Sequence, residues 1–588
     1  MRFPLRTARV ATLSICLALV ATPLRGIAQS ELHAPADNSA QQPSFPAAWP
    51  YRPATTTASS RSGMVACDDS LATDVGCQIL REGGNAVDAA VATAFALAVV
   101  FPAAGNIGGG GFLVAHFADG TTATLDFRET APARATHDMF LDSLGNLTGK
   151  SITGPLSVGV PGSVAGLWEA HARYGTLPWP QLLAPAIRLA ELGFIVDKRF
   201  FLTVREDSAR LSRYAASRML FLPGGVPLRE GTRWSNPDLA QVLRRIAEQG
   251  PAGFYAGVTA DSIASSMIET GGLVTKNDLA RYRAVWRTPI TFTYRAHQIV
   301  TMPPPSSGGI TLALIGNILG GFDLGHKPWH SPLSLHLLVE SMRRAFVNRN
   351  DLLADPDFVH VPQDSLLSQS YAAHLRSTIS PARATAPAEI TPMHEGVHTT
   401  HLSVVDKEGN AVALTTTLNL LYGSAVTVAG AGFLLNDEMD DFASKPGTPN
   451  VFGLVQGEVN AIAPGKRMAS SMTPTIVLGD DGRPLLVTGA SGGPRIISAV
   501  FQVISNVLDY HFDIAAAVNA PRIHHQDFPD TLYFEDHGFS PGCLDSLKQM
   551  GYNVKETSHV GVAPSILRAD GLWWGMADPR SGGSARGE

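Results

Sequence analysis

From Ala89 to Phe101 the chain carries no charge, and Thr93 is the only polar side chain in the run. A segment with no face suited to water must be surrounded by the rest of the fold, so it reads as a central core helix. Asp88, directly before it, argues against a membrane span. The helical pattern begins near Leu71 and breaks at Gly83-Gly84-Asn85. Next comes Gly105-Asn106-Ile107-Gly108-Gly109-Gly110-Gly111, then strand-like Phe112 to Phe117 and Thr122 to Phe127. A dinucleotide-binding turn needs the order strand, glycines, helix, because the helix N-terminus must meet the phosphate. Here the glycines follow a helix and precede a strand. They are read instead as a close-packed backbone crossing, where the missing Cβ lets chains approach.

The chain has 588 residues, 45% hydrophobic and 16% charged, which describes a globular protein with substantial cores. That length fits several domains or one large layered enzyme. A net charge of -6 excludes a basic nucleic-acid binder. Residues 1–28 hold Arg2, Arg6, Arg9 and Arg25, no acid, an apolar stretch from Val10 to Ala21, and the small residues Gly26 and Ala28. This is the pattern of a cleavable secretory signal. Its apolar run is too short for a membrane anchor, and Ile15 before Cys16 is too bulky for lipid attachment. An exported protein, periplasmic or secreted and without a membrane partner, is expected. Loss of the signal leaves Cys67, Cys77 and Cys543; an oxidising compartment permits a Cys67 to Cys77 bridge without requiring it. No cysteine cluster has zinc spacing, no His-Glu-x-x-His occurs, and His524 and His525 would point opposite ways on a strand, so no metal is expected.

Residues 29–63 read as a flexible lead-in, and the fold starts near Met64. Residues 160–290 look mostly helical, and Met302 to Gly309 is a rigid turn before another apolar helix. Pro381 to His398 reads as an exposed loop, after which the pattern becomes strand-rich. Thr399 to Val405, then Asp406-Lys407-Glu408-Gly409-Asn410, then Ala411 to Leu418, is a hairpin signal. Gly409 suits the left-handed position that closes a three-residue loop, and in that register Thr399 faces Thr417. Further on, Gly489-Ala490-Ser491-Gly492-Gly493 satisfies G-x-S-x-G between a strand-like Pro484 to Thr488 and an apolar helix near Pro494. That context matches a serine-hydrolase elbow. Hairpin-like strands rather than several βα units precede it, which argues the other way, and context alone leaves the elbow open.

Several motifs occur together: Asp126-Phe127-Arg128-Glu129, Gly159-Val160-Pro161-Gly162, Thr399-Thr400-His401, Thr417-Leu418-Asn419, Asn436 to Phe442, Ser470-Ser471-Met472-Thr473-Pro474, Gly492-Gly493 and Asn519-Ala520-Pro521-Arg522. In this order, across roughly Met64 to Arg580, the chain resembles the γ-glutamyltranspeptidase family. The resemblance implies an α+β, four-layer αββα sandwich of the N-terminal-nucleophile hydrolase type, autoprocessed into two interlocked subunits. The large subunit would be 64–398 and the small catalytic subunit 399–588, cut between His398 and Thr399.

On that resemblance Thr399 is the nucleophile, supported by Thr417. A threonine hydroxyl is a weak nucleophile, and cleavage supplies an α-amine of unperturbed pKa near 8 as a base on the same residue. A γ-glutamyl group presents an α-carboxylate and an α-ammonium. Arg128 can fork onto the first; by family match Ser470 and Ser471 assist it, while Asn419, Glu438 and Asp441 hold the second, and Gly492 and Gly493 supply oxyanion donors. Taken singly, Arg128 and Glu129 also read as a surface pair, the serines as a turn, and Asp440 or Asp441 as a helix cap.

Phe452 stands in the segment resembling the family's lid, where some bacterial members carry tyrosine, so a polar latch would be lost while the ring still shields the site. Glu438 replaces a glutamine of some members and adds a second acid for the ammonium. The expected activity is cleavage of glutathione-like γ-glutamyl amides through a threonyl acyl-enzyme, with transfer to water or to an amino acid or peptide, and with no cofactor. A cephalosporin (glutaryl) acylase of the same fold is the nearer alternative. A non-catalytic secreted binding protein on this scaffold is the more distant one.

Overall fold

The apolar run is helix α2 (Ala86–Val100), and every one of its residues is buried. It follows strand β1 (Met64–Cys67) and helix α1 (Ser70–Arg81), so the anticipated break falls where expected. Asn85 caps α2 and Asp88 answers it in a capping box. The Asp88 carboxylate also accepts from Thr176 N and Oγ1 and from Leu177 N, which satisfies an acid with no access to solvent. This computed structural model describes residues 43–51, 57–386 and 399–588. The signal 1–28, residues 29–42 and 52–56 of the lead-in, and 387–398 with His398 lie outside the described residues. The rest of the lead-in is built into the fold rather than flexible: Thr57–Ser60 pairs with Leu572–Met576, and buried Trp49 donates to Asn519 O, so the fold begins before Met64.

The glycines after α2 lead into β2 (Gly110–His116), paired with β3 (Thr122–Phe127). They are the backbone crossing expected of them. A Cβ on Gly108 would sit 2.1 Å from Leu434 O, and one on Gly109 2.1 Å from Thr417 O. The hairpin forms from β4 (Thr400–Val405) and β5 (Ala411–Thr417), with Thr400 opposite Thr416 and Val405 opposite Ala411, the register read from the sequence. Gly409 closes its loop at φ 91°.

Two seven-stranded sheets, antiparallel at every pairing, make the centre of the molecule. The first runs Ser584–Gly587, β1, β4, β5, β2, β3, Val285–Arg287. The second runs Thr57–Ser60, Leu572–Met576, Ser565–Ala569, β6 (Pro484–Thr488), Thr475–Leu478, His297–Thr301, Ile290–Tyr294. Period-two alternation sorts side chains into layers. Leu113, Ala115, Leu402, Val404, Val412 and Leu414 pack with α1, α2 and the helices of 163–267. Their sequence neighbours Phe112, Val114, Val405, Ala411 and Ala413 face the second sheet. Beyond that sheet lie Gly308–Leu319, Pro332–Leu352 and Arg495–Leu508. The layers are therefore helix, sheet, sheet, helix.

Two sequence readings resolve here. Cys67 and Cys77 are buried free thiols; the first bonds to Asp69 O and Thr73, the second to Arg586 O, so the permitted bridge is not made. Ser491 does sit between a strand and a helix, but β6 is antiparallel to both neighbours. An elbow of the α/β-hydrolase kind belongs to a wound parallel sheet, so that framework is missing.

Gly111→Ala would press a Cβ to 2.3 Å from Thr415 O in the neighbouring strand. It is expected to cost at least about 2 kcal/mol and to lower the thermal midpoint, whereas Gly149→Ala, with nothing within 4 Å of its Cβ, should stay within about 0.5 kcal/mol by scanning calorimetry.

Candidate active site

The hairpin register decides where the site lies. Thr399 and Thr417 close the open end of the β4/β5 pair, and the Thr399 hydroxyl donates to Thr417 Oγ1 at 3.4 Å. Thr417 Oγ1 also accepts from Asn419 N at 2.9 Å, and Asn419 holds φ 79° while donating through Nδ2 to Asp437 O. Thr399 is buried, at 7% exposure.

Arg128 follows the last residue of β3 and is completely buried. Its Nη1 lies 2.6 Å from Glu438 and 3.7 Å from Glu129, and its Nη2 binds Asp441. Glu438 and Asp441 share one 3-10 turn, Glu438–Asp441. Three carboxyls thus surround one guanidinium, Glu129 and Glu438 fully buried and Asp441 with its side chain 14% exposed. Burial alone would lower the Arg128 pKa, but Glu438, Asp441 and Glu129 outweigh it and raise it. Burial drives Glu438 well above the usual carboxylate range, against the pull of Arg128, and it raises Glu129 and Asp441 as well. The cluster is short of positive charge and favours carrying a proton.

Ser470 and Ser471 line the same cleft. Ser307 N and Oγ both donate to Ser470 O, at 2.7 and 2.6 Å, and Ser470 Oγ accepts from Met472 N. Behind them Arg349 donates through Nε to Ser307 Oγ and through Nη2 to Ser471 Oγ. Burial pushes the Arg349 pKa down to about 10. Gly492 (φ 135°) and Gly493 (φ 56°) turn the chain from β6 into Arg495–Leu508, conformations that suit glycine. Their carbonyls accept from Arg495 N and Ile496 N.

The Phe452 ring covers Gly493; a Cβ there would lie 3.0 Å from Phe452 Cδ1. The covering segment is tied down at Val451 N by Asp440 and at Phe452 O by Gln526. What remains is a cleft of about 20 Å³, room for roughly one water. The much larger groove of about 660 Å³ beside Phe512 and Trp574 holds none of these residues.

Arg128, Thr399, Thr417, Asn419, Glu438, Asp441, Phe452, Ser470, Ser471 and Gly493 all line that one cleft. Gly492 adjoins it in sequence, and His398 lies outside the described residues. Arg349 and Asp440 are contributors that sequence reading missed. Arg349 sits on a charged helix, Pro332–Leu352, where nothing in the spacing separates it from Arg343 and Arg344. Among the described residues no group of His, Cys, Asp and Glu is arranged to hold a metal ion.

A gamma-glutamyltranspeptidase family model matches residues 72–588. The glutathione hydrolase proenzyme of Escherichia coli (strain K12) is 47% identical, over 89% of this chain and 91% of its own length. Among solved structures, a cephalosporin acylase from Bacillus halodurans superposes with a TM-score of 0.82 at 29% identity, covering 92% of this chain and 99% of that one. A Helicobacter pylori gamma-glutamyltranspeptidase chain gives 0.54 at 44% identity, covering 55% and 93%.

Arg128→Met would leave three buried acids without their cation. Folded pKa values already raised by burial would rise further above their unfolded values, so the folded state would bind more protons and stability would fall as pH increases. The variant is expected to lose roughly 3 kcal/mol or more near pH 8 and to recover part of it near pH 5, read from denaturation midpoints across pH.

Proposed function

The chain belongs to the γ-glutamyltranspeptidase family, and on that premise we propose how its cleft works as a γ-glutamyltransferase and glutathione hydrolase. The observation that carries the residue assignment is the convergence of Thr399, Thr417, Arg128 with its acids, the two serines and Gly493 on one cleft from stretches far apart in the chain.

Cleavage between His398 and Thr399 separates 64–398 from 399–588 and frees the α-amine of Thr399. The two parts stay together without a covalent link, because β4 and β5 lie between β1 and β2 in one sheet. In the cut enzyme the amine takes the proton of the Thr399 hydroxyl as Oγ1 attacks the γ-carbonyl carbon. The oxyanion forms at the N–H groups of Gly492 and Gly493. As the C–N bond breaks, the proton passes from the Thr399 ammonium to the leaving amine, and a threonyl ester remains. Water or the amine of an amino acid or peptide then attacks that ester, and Thr399 is regenerated.

Arg128 turns from its carboxylates to the substrate α-carboxylate, with Ser470 and Ser471, while Asn419, Glu438 and Asp441 take the α-ammonium. The zwitterion thereby brings the cation that the acid cluster lacks. This favours γ-glutamyl over glutaryl groups, since a glutaryl group would set a carboxylate among acids and return no ammonium. Residues 1–28 support export to the periplasm or outside; among the described residues no helix is long and apolar enough to cross a membrane.

On a denaturing gel the wild type is expected to resolve into two bands, the smaller beginning Thr-Thr-His-Leu on N-terminal sequencing. Thr399→Ala should remain a single chain, Thr399→Ser should still cut, and Ser491→Ala should process and turn over. An uncut chain that is fully active would sink the assignment. Turnover of a chromogenic γ-glutamyl anilide should persist in chelator and exceed that of the glutaryl anilide by at least about a hundredfold; equal rates would point to an acylase specificity, and ligand binding without turnover to a binding protein.

A further inference from the structure

Asp68 lies outside the cleft and has no part in the reaction above, yet it touches the strand that begins beside Thr399. The β1 to β4 ladder runs from Val405 opposite Met64 to Leu402 opposite Cys67, where β1 ends. One residue later the Asp68 carboxylate continues the pairing. Its Oδ2 accepts from His401 N at 3.3 Å and from Thr400 Oγ1 at 3.0 Å, and its Oδ1 accepts from Ser581 Oγ at 3.3 Å. Arg199, from the helix Lys198–Glu206, binds Asp68 O and also pairs with Asp69 at 2.6 Å. The C-terminal strand approaches so closely that a Cβ on Gly583 would lie 2.7 Å from Asp68 Cα.

We infer that Asp68 is a positioning residue for the nucleophile, a carboxylate that pins Thr400 and His401 and so fixes Thr399 once the chain is cut before it. In the uncut chain a peptide bond joins the first residue of the hairpin to the chain before it. In the cut enzyme that tether is gone, and Thr399 becomes a strand terminus of the kind that frays. Two bonds to a buried carboxylate, one residue and two residues downstream, replace the lost restraint. The inference rests on Thr399 being the nucleophile.

The environment makes the clamp sensitive to pH. Asp68 is completely buried, and burial raises its pKa to about 7 against the opposing pull of Arg199, Thr400 and His401, with Asp578 adding to the rise. The charged groups facing it are Arg199 and Asp69 from the large part and Asp578, itself tied to Arg522 and Arg580, while β4 presents only the His401 backbone N–H and the Thr400 hydroxyl. A charge-assisted bond is stronger than a neutral one, so the grip tightens as pH rises through about 7.

The test measures kcat and KM for a chromogenic γ-glutamyl anilide from pH 5 to 9, per active site titrated by the acylation burst. Asp68→Ala is expected to lower kcat about tenfold with KM within about twofold, the effect of losing bonds to a charged acceptor. Asp68→Asn keeps an acceptor oxygen; it should retain kcat within about threefold at pH 8 and lose the wild-type inflection near pH 7. A loss confined to the thermal midpoint or the number of titrated sites, with kcat per site intact, would overturn the inference, as would an unchanged inflection in Asp68→Asn. A wild type without turnover would refute the nucleophile assignment itself.

Discussion

Everything at the site depends on the pairing of Thr400–Val405 with Ala411–Thr417. Side chains on a strand alternate between faces, so a slip of one residue would turn Thr399 and Thr417 from the inter-sheet face to the helical one. The register is held from both directions. Leu402, Val404, Val412 and Leu414 are committed to the helical core, while Val405, Ala411 and Ala413 are committed to the second sheet. His401, between the sheets, bonds to Thr415 and Ser403 and sits against Gly489, where no side chain would fit. Burial on both faces thus leaves the hairpin one alignment, and that alignment delivers two hydroxyls side by side at the sheet end.

The electrostatic arrangement is of a different kind, because it is unfavourable by itself. Carboxyls from two parts of the chain are buried around Arg128 without enough positive charge to balance them. A buried pair seldom repays its desolvation, and an acid-rich cluster repays less. Such an arrangement costs stability, and on the proposed reading a ligand that brings a cation and offers the guanidinium its own carboxylate relieves it.

The cut proposed before Thr399 falls at the start of a buried strand, and the rest of the fold then has to hold the new terminus. The strands on either side of the hairpin, β1 and β2, belong to the part preceding the cut, so the sheet itself is the joint. The very first residues need something more local, because a ladder cannot hold a terminus beyond its last bond. The side chain of Asp68 stands where the backbone of β1 has run out.

Much of this was legible in the sequence where local chemistry dictates the outcome. The core helix after Asp88, the glycine crossing and the hairpin with its register follow from hydrophobic periodicity and from the need for φ > 0 at Gly409, properties each residue carries wherever it stands. The cleft residues were recognisable because their motifs resemble a family, whereas in isolation Arg128, Ser470 and Asp441 each read as ordinary surface or turn residues. Tertiary structure alone decided that Cys67 and Cys77 stay apart, that β6 is antiparallel and so denies Ser491 an elbow's framework, that Arg349 stands behind Ser471, and that Asp68 meets the strand beginning beside Thr399. These depend on which segments meet, for Asp68 and His401 across 333 residues, and a buried arginine or aspartate has the same local sequence signature as one in water until its neighbours are in place.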